Sequence, residues 1–155
     1  MKPTDDTVAA GLAAARVFTG ISVRAVAAAG DVVTLPQLRV LVLVGDAGGT
    51  NIATLAEGLG VHPSNATRVV ERLTRAGLLD RRPDPDDRRH LVVELTPAGR
   101  RVVEDVDARR QEEIERLLDD LPADRRTGAR GVLRALAEAG GETVDAAAAS
   151  LGWAR

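Results

Sequence analysis

The sequence predicts a mainly α-helical fold that contains one small β-hairpin. Most of the chain places apolar residues at three- and four-residue steps, which is the spacing of one helix face. One segment past the middle changes to a two-residue alternation, which is typical of a strand. Phe18 and Trp153 are the only aromatic residues among 155, so the core must be built from small aliphatic side chains. Such a core favours closely packed helices.

Two helices are expected in the N-terminal part of the chain. Residues 5–28 repeat apolar side chains with helical spacing, and Gly30 follows as a stop. The second helix begins after Thr34, which caps it, while Gln37 completes a capping box. The glycine-rich segment 45–49 is expected to end this helix in a loop.

A short helix, a turn and a further helix are expected next. Thr50 or Asn51 caps the short helix, and the segment 58–61 forms the turn. Pro63 lies in the first turn of the further helix, where the missing N–H costs nothing, and Gly77 ends it. The expected buried residues of this helix are Ala66, Val69, Val70 and Leu73.

A hairpin and two more helices complete the predicted order of elements. Residues 79–82 and 90–95 are expected to form two antiparallel strands around an exposed, charged tip. One helix is expected from 97 to about 120 and another from 122 to 140, and a helical tail reaches Trp153.

The composition excludes several kinds of site. There is no cysteine, so disulfides, thiolate metal sites and a thiol redox sensor are excluded. His62 and His90 are too few for a histidine-rich metal site, and they are interpreted as a helix-start residue and a strand-face residue. Ser64 lies two positions after His62, but neighbouring helix-start residues do not form a catalytic triad, and no phosphate-binding loop follows a strand. We therefore expect neither an enzyme nor a metal or cofactor.

The ends of the chain and its apolar runs suggest a soluble, cytoplasmic protein. The first six residues lack the apolar region of a signal peptide, and no apolar run is expected to reach membrane-spanning length. The net charge of −2 does not by itself point to nucleic acid. Residues 64–90, however, hold seven arginines against five acidic residues, so a locally basic working surface is compatible with DNA.

The helix after Pro63 is expected to expose hydrogen-bonding groups. Two short helices joined by a tight turn, followed by a charged hairpin, form a winged helix-turn-helix, in which the second helix enters the major groove. An asparagine such as Asn65 can pair with adenine, and an arginine can pair with guanine. The alternative is a solvated helix face with Asn65 near the cap. The predicted DNA-binding residues of this helix are Pro63, Ser64, Asn65, Thr67, Arg68 and Arg72.

The middle of the chain resembles the MarR family of transcriptional regulators. Residues 55–61 leading to 66–73 look like the family's helix-turn-helix, and 77–81 is similar to its exit from the recognition helix. The most specific likeness is Asp84-Pro85-Asp86-Asp87-Arg88-Arg89 followed by Leu95-Thr96-Pro97-Ala98-Gly99, which resembles the family's wing and the start of the next helix. The specific motifs lie between residues 50 and 99.

The resemblance implies roles for three wing residues. Arg89 is expected to enter the minor groove, and Asp87 is expected to hold the shape of the wing. Arg88 would contact a phosphate or the groove beside it. A narrow minor groove has an enhanced negative potential that attracts an inserted guanidinium, so the assignment is physically reasonable. The alternative is a solvated turn with internal Asp–Arg pairs.

The resemblance also implies a homodimer that binds a pseudo-palindromic operator, in the expected role of a repressor. Residues 5–28 and 97–150 would be the dimerisation helices and 35–96 the DNA-binding region of a single domain, 1–155. Family members bind small phenolic or anionic effectors, and Arg16 and Arg24 are the candidate ligand-binding residues. Two alternatives remain: a winged-helix module for protein–protein interaction without DNA contact, and a metal-responsive regulator, for which ligands are missing.

Overall fold

The computed structural model of the chain describes residues 4–30, 32–83 and 91–142. It confirms the predicted mainly α-helical fold with a two-stranded antiparallel hairpin. Within these residues the elements follow in the order α1 (Asp5–Ala28), α2 (Leu35–Asp46), α3 (Ile52–Leu59), α4 (Pro63–Arg75), β1 (Leu79–Pro83), β2 (Leu91–Leu95), α5 (Pro97–Asp119) and α6 (Ala123–Ala139).

Helix α1 is anchored in the core only near its C-terminal end. The Thr4 side chain caps it by accepting a hydrogen bond from a backbone N–H of the first turn. Its buried residues are Ile21, Ala25 and Val26, whereas residues 4–19 are exposed throughout. The predicted apolar stripe of α1 is therefore mostly uncovered within one chain.

Helix α1 is also long and apolar enough, by length and composition alone, to cross a membrane. This finding corrects the expectation that no segment approaches that length. Alanines and valines give residues 5–28 a high mean hydropathy although few of the side chains are large. In the fold, α1 packs on α5 and α2, and Ala25 and Val26 belong to the same core as residues of those helices.

Helix α2 carries the predicted capping box but extends further than expected. The Gln37 N–H donates to Thr34 Oγ1 over 3.4 Å, and the Thr34 N–H donates to Gln37 Oε1 over 2.8 Å. The prediction that glycines from position 45 end the helix is wrong for Gly45, because α2 continues past it. A Cβ at Gly45 would lie 2.9 Å from Cδ1 of Leu95, so this glycine permits close packing on the hairpin. The chain reverses only at 48–49, with φ of +64° and +117°.

The two candidate caps of α3 have separate roles. Asn51 Oδ1 caps the helix by accepting a backbone N–H over 2.9 Å. Thr50 instead forms an isolated antiparallel bridge with Val93, with N···O distances of 3.0 and 2.7 Å. The predicted turn at 58–61 is tighter than expected: its first half belongs to α3, and Gly60, with φ of +64°, makes the reversal.

The hairpin lies against the core with its inner face. Leu79 pairs with Leu95 at one end, and Pro83 pairs with Leu91 at the other. The buried inner positions of the hairpin are Leu79 and Val93. The core itself surrounds α2, and its fully buried large side chains come from α2, α3, α4, the hairpin and α5: Leu38, Val40, Leu41, Val44, Leu55, Val70, Leu73, Leu79, Val93 and Val106.

Helices α5 and α6 extend away from this core. Thr96 caps α5 by accepting the N–H of Gly99 over 3.0 Å, and only the first half of α5 has buried residues. Helix α6 has no buried residue within the described range, and Val132 and Leu136 are 61% and 65% exposed. The predicted helical tail to Trp153 lies outside the described residues.

Candidate nucleic-acid interface

Helix α4 separates its apolar and polar residues sharply. Ala66, Val70 and Leu73 are buried, and they face α3 and the hairpin. Positions 64, 68, 72 and 75 recur at helical spacing on the opposite side, where the side chains are exposed. The inward packing of one side fixes the polar side outward.

The exposed side of α4 is rich in positive charge and hydrogen-bonding groups. Of the predicted contact residues, Pro63, Ser64, Asn65, Arg68 and Arg72 are exposed, whereas Thr67 is half-buried at the edge of this side. Sequence reasoning omitted two residues that lie on the same side, Arg75 and Glu71; the 68–72–75 spacing was the signal for the first. Arg75 Nε donates to the carbonyl oxygen of Glu71 over 3.3 Å.

The start of α4 is held by an imidazole. Nδ1 of His62 accepts the N–H of Ser64 over 3.3 Å and lies 2.9 Å from Ser64 Oγ. The predicted helix-start role of His62 therefore has a definite form: the ring caps the helix. Thr67 Oγ1 donates to the carbonyl oxygen of Pro63 over 2.9 Å, so the second hydroxyl of this turn is also held internally.

The hairpin places the wing beside α4. On its outer face, Arg82 Nε lies 3.2 Å from Oδ2 of Asp80 and 3.6 Å from Oε2 of Glu94. This charge cluster links β1 and β2 on the outer face of the hairpin. The wing tip, with the predicted residues Asp87, Arg88 and Arg89, lies outside the described residues.

One threonine connects the end of the recognition segment to the arm that follows. Gly77, with φ of +73°, ends the α4 segment, as predicted. Its carbonyl oxygen accepts a hydrogen bond from Thr96 Oγ1 over 2.6 Å. Leu78 then contacts the first turn of α5 so closely that a Cβ at Gly99 would overlap its carbonyl oxygen. The position of α4 is thus coupled directly to α5.

The two candidate ligand-binding residues lie along the same side of α1. Arg16 and Arg24 both line a shallow surface cavity of about 550 Å³. Arg24 is engaged by Glu113 of α5: its Nε and Nη2 donate to Oε2 over 3.1 and 2.5 Å. This hydrogen bond lowers the pKa of Glu113 and raises the pKa of Arg24. Arg16 is exposed.

A second cavity, of about 390 Å³, lies between α2, α3 and the end of α6. Arg39 Nη2 and Glu142 Oε1 pair across it over 2.6 Å, which connects α6 to the DNA-binding part. Burial, and then the nearby charge of Glu142, raises the pKa of Asp46 at the rim. Within residues 4–30, 32–83 and 91–142 there is no group of three or more histidine, cysteine or acidic side chains that could hold a metal.

An outward, arginine-rich second helix, a tight αL turn before it and a hairpin beside it define a winged helix-turn-helix DNA-binding protein. The model of the MarR family matches residues 33–91. The chain is 32% identical over 93 residues to the multiple antibiotic resistance protein MarR of Salmonella typhimurium, covering 59% of this chain and 65% of that protein. Other matches are shorter and span 43% and 47% of two HTH-type transcriptional regulators of Bacillus subtilis.

Solved structures extend the similarity to almost the whole chain. RV1404 from Mycobacterium tuberculosis is 40% identical with a TM-score of 0.83, covering 92% of this chain and 97% of that one. CouR from Rhodococcus jostii RHA1, solved with p-coumaroyl-CoA, is 28% identical with a TM-score of 0.65, covering 86% and 92%. The chain belongs to the MarR family of transcriptional regulators, and its winged helix is a DNA-binding one.

Proposed function

We propose that the chain is a homodimeric, cytoplasmic repressor that binds a pseudo-palindromic operator through α4. The observation that carries this proposal is the outward side of α4, where Arg68, Arg72 and Arg75 outnumber the single acidic residue Glu71. Arginines at this spacing follow one groove of a duplex, and they can contact both guanine and phosphate. The proposed DNA-binding region is 35–96.

A second copy of the chain is the proposed cover for α1 and α6. Both helices expose several large apolar side chains, and such clusters on a protein surface usually mark an interaction site. The dimerisation helices would be 5–28 and 97–150. Two-fold symmetry would then place two α4 helices about 34–36 Å apart, one turn of DNA, and so require a two-fold operator. The large exposed apolar residues of α1, of the end of α5 and of α6 are Val8, Leu12, Val17, Phe18, Val23, Leu117, Val132, Leu133 and Leu136.

The wing is proposed to contact the adjacent minor groove. In this proposal Arg89 enters the groove, Arg88 contacts it or a phosphate beside it, and Asp87 holds the tip. The charge cluster around Arg82 supports the proposal because it links the two strands that lead to the tip. Loss of operator affinity in Arg89→Ala, with an unchanged melting temperature, is the expected result.

A small anionic or phenolic effector is proposed to act at α1. CouR, a relative, was solved with p-coumaroyl-CoA, in which the acyl group is phenolic and the CoA part is anionic. Arg16 is the more available of the two candidate residues, because the carboxylate of Glu113 occupies the donor edge of Arg24. An anion at Arg24 would therefore compete with Glu113 and weaken this contact between α1 and α5, which would favour a different spacing of the two α4 helices.

Selection of bound duplexes from a random DNA pool tests the proposal. The expected result is a motif with two-fold symmetry and half-sites one turn apart, bound by a particle of twice 16.3 kDa in light scattering. Affinity is expected to fall steeply with salt because phosphate contacts release counterions. The competing function, a module for protein interaction without DNA contact, is favoured only by the net charge of −2, and it predicts no selected motif.

A further inference from the structure

The first turn of α4 has no free backbone donor. Pro63 has no N–H, and the N–H of Ser64 donates to Nδ1 of His62. The N–H groups of Asn65 and Ala66 point to the carbonyl oxygen of His62, at 2.9 and 3.4 Å. Where a helix N-terminus binds phosphate, it does so through such free N–H groups. Here they are already used, so this end of α4 cannot bind a phosphate in that way.

The imidazole of His62 also determines the orientation of the Ser64 hydroxyl. A backbone N–H can only donate, so the Nδ1 that accepts it over 3.3 Å carries no proton. The contact of 2.9 Å between Nδ1 and Ser64 Oγ then requires the hydroxyl to be the donor. The proton of Ser64 therefore points to the ring, and only oxygen lone pairs remain for DNA.

The hydroxyl proton of Thr67 is also used within the protein, in a different hydrogen bond. Its Oγ1–H donates to the carbonyl oxygen of Pro63 over 2.9 Å, one turn back in the helix. Four residues exceed one helical turn by only about 40°, so Thr67 lies almost directly above Pro63 along the helix. It is at the edge of the exposed side and is half-buried there. Both hydroxyls that are predicted to contact DNA thus donate their protons to hydrogen bonds within the protein.

On the basis of the proposed function, we propose that the hydroxyls of Ser64 and Thr67, near the N-terminal end of α4, bind DNA only as hydrogen-bond acceptors and that His62 sets this specificity through Ser64. Phosphate oxygens, guanine O6 and N7 and thymine O4 only accept, so Ser64 and Thr67 cannot bond to them. Exocyclic amino groups donate: N4 of cytosine and N6 of adenine are the matching partners in the major groove. His62 is a positioning residue, and Arg68 and Arg72 supply the donors.

Base analogues test this assignment on the selected operator duplex. Each adenine of a half-site is replaced by purine and each cytosine by 2-pyrimidinone, which lack the amino group. At one position the wild-type protein is expected to lose affinity about fivefold, as for one hydrogen bond of about 1 kcal/mol. In Ser64→Ala the same replacement is expected to cost less than twofold. Thr67→Val gives an independent second test at its own position.

His62→Ala separates positioning from helix stability. Without the ring, the Ser64 hydroxyl can turn and donate, so guanine or thymine at the Ser64-dependent position is expected to gain about fivefold relative to the amino base. The matched control is Asn51→Ala, which removes the equivalent cap of α3 but leaves Ser64 untouched. A purely structural role of His62 would weaken all duplexes equally, as this control does.

The outcomes also distinguish this inference from the proposed function. If no duplex is selected by the wild-type protein, both fail. If an operator is bound but the Ser64-dependent base is guanine or thymine, or Ser64→Ala removes no analogue penalty, only the acceptor assignment is overturned. An unchanged base preference in His62→Ala overturns the role of His62.

Discussion

Arg24 of α1 forms a salt bridge with Glu113 of α5 through one edge of its guanidinium: Nε and Nη2 both donate to Oε2, over 3.1 and 2.5 Å. The two residues are 89 positions apart in the sequence. The pair ties the N-terminal helix to the long helix that leaves the winged part, so it connects two of the proposed dimerisation helices within one chain.

The Arg24–Glu113 pair should make the stability of the fold depend on pH in the acidic range. The pKa of Glu113 is lowered in the folded state, so the contribution is present above the unfolded pKa and is lost as pH falls through the folded one. In Arg24→Gln the Glu113 titration followed by NMR should move to higher pH, and the melting temperature should fall less between neutral and acidic pH. Arg134→Gln is the control, since its contact with Glu138 is 3.9 Å long and exposed. Equal effects in both variants would contradict the prediction.

Gly99 and Gly128 are both helical but should respond oppositely to alanine. Gly99→Ala forces a methyl group onto the carbonyl oxygen of Leu78, so we expect a loss of about 2–4 kcal/mol in the free energy of unfolding, or failure to fold. Nothing lies within 4 Å of a Cβ at Gly128, so Gly128→Ala should stabilise by about 0.5–1 kcal/mol. Chemical denaturation measures both, and a tolerated Gly99→Ala would show that α5 does not dock this closely.

Thr96→Val tests the connection between the recognition segment and α5. The change keeps the shape but removes the hydroxyl that accepts from Gly99 and donates to the carbonyl oxygen of Gly77. We expect a loss of about 1–2 kcal/mol in unfolding free energy from the lost cap, and weaker operator binding because Gly77 is released. Thr34→Val, which removes the cap of α2, is the comparison: it should lower stability without a matching loss of DNA affinity.

Substitution of the arginines of α4 should separate DNA contact from folding. Arg68→Ala or Arg72→Ala is expected to weaken operator binding by about 1–3 kcal/mol, and a lost phosphate contact should also reduce the slope of log affinity against log salt by about one. Melting temperatures should stay the same, since both side chains are exposed. Arg130→Ala on α6 is the control and should leave binding unchanged. Wild-type operator affinity in both α4 variants would show that these arginines of α4 do not contact DNA.

A charge on either uncovered apolar helix should break the proposed dimer. Leu12 and Leu136 are 58% and 65% exposed in the single chain, so neither Leu12→Glu nor Leu136→Glu disturbs its core. If a second copy buries them, desolvating the carboxylate opposes association, and light scattering should show 16.3 kDa instead of twice that mass. Val61→Glu, in the turn before α4, is the control and should remain dimeric. A dimeric Leu136→Glu would place the interface elsewhere.

Local sequence patterns predicted the order of the elements correctly. The 3.6-residue spacing of Ala66, Val70 and Leu73 predicts both the existence of α4 and its outward polar side, because the period of a helix decides which residues share a face. Caps at Thr34 and Thr96 are equally local, since their partners lie three residues away. Residues that meet from distant parts of the chain leave no such pattern.

The sequence alone therefore determined a winged helix-turn-helix with an arginine-bearing second helix and arms of mostly small apolar residues. Only the tertiary structure decided that α2 continues through Gly45, that Arg24 is paired with Glu113, and that Gly99 lies against the carbonyl oxygen of Leu78. The physical reason is that helical periodicity and caps depend on neighbours within one turn. Close approaches and long-range ion pairs depend on which atoms the fold brings together.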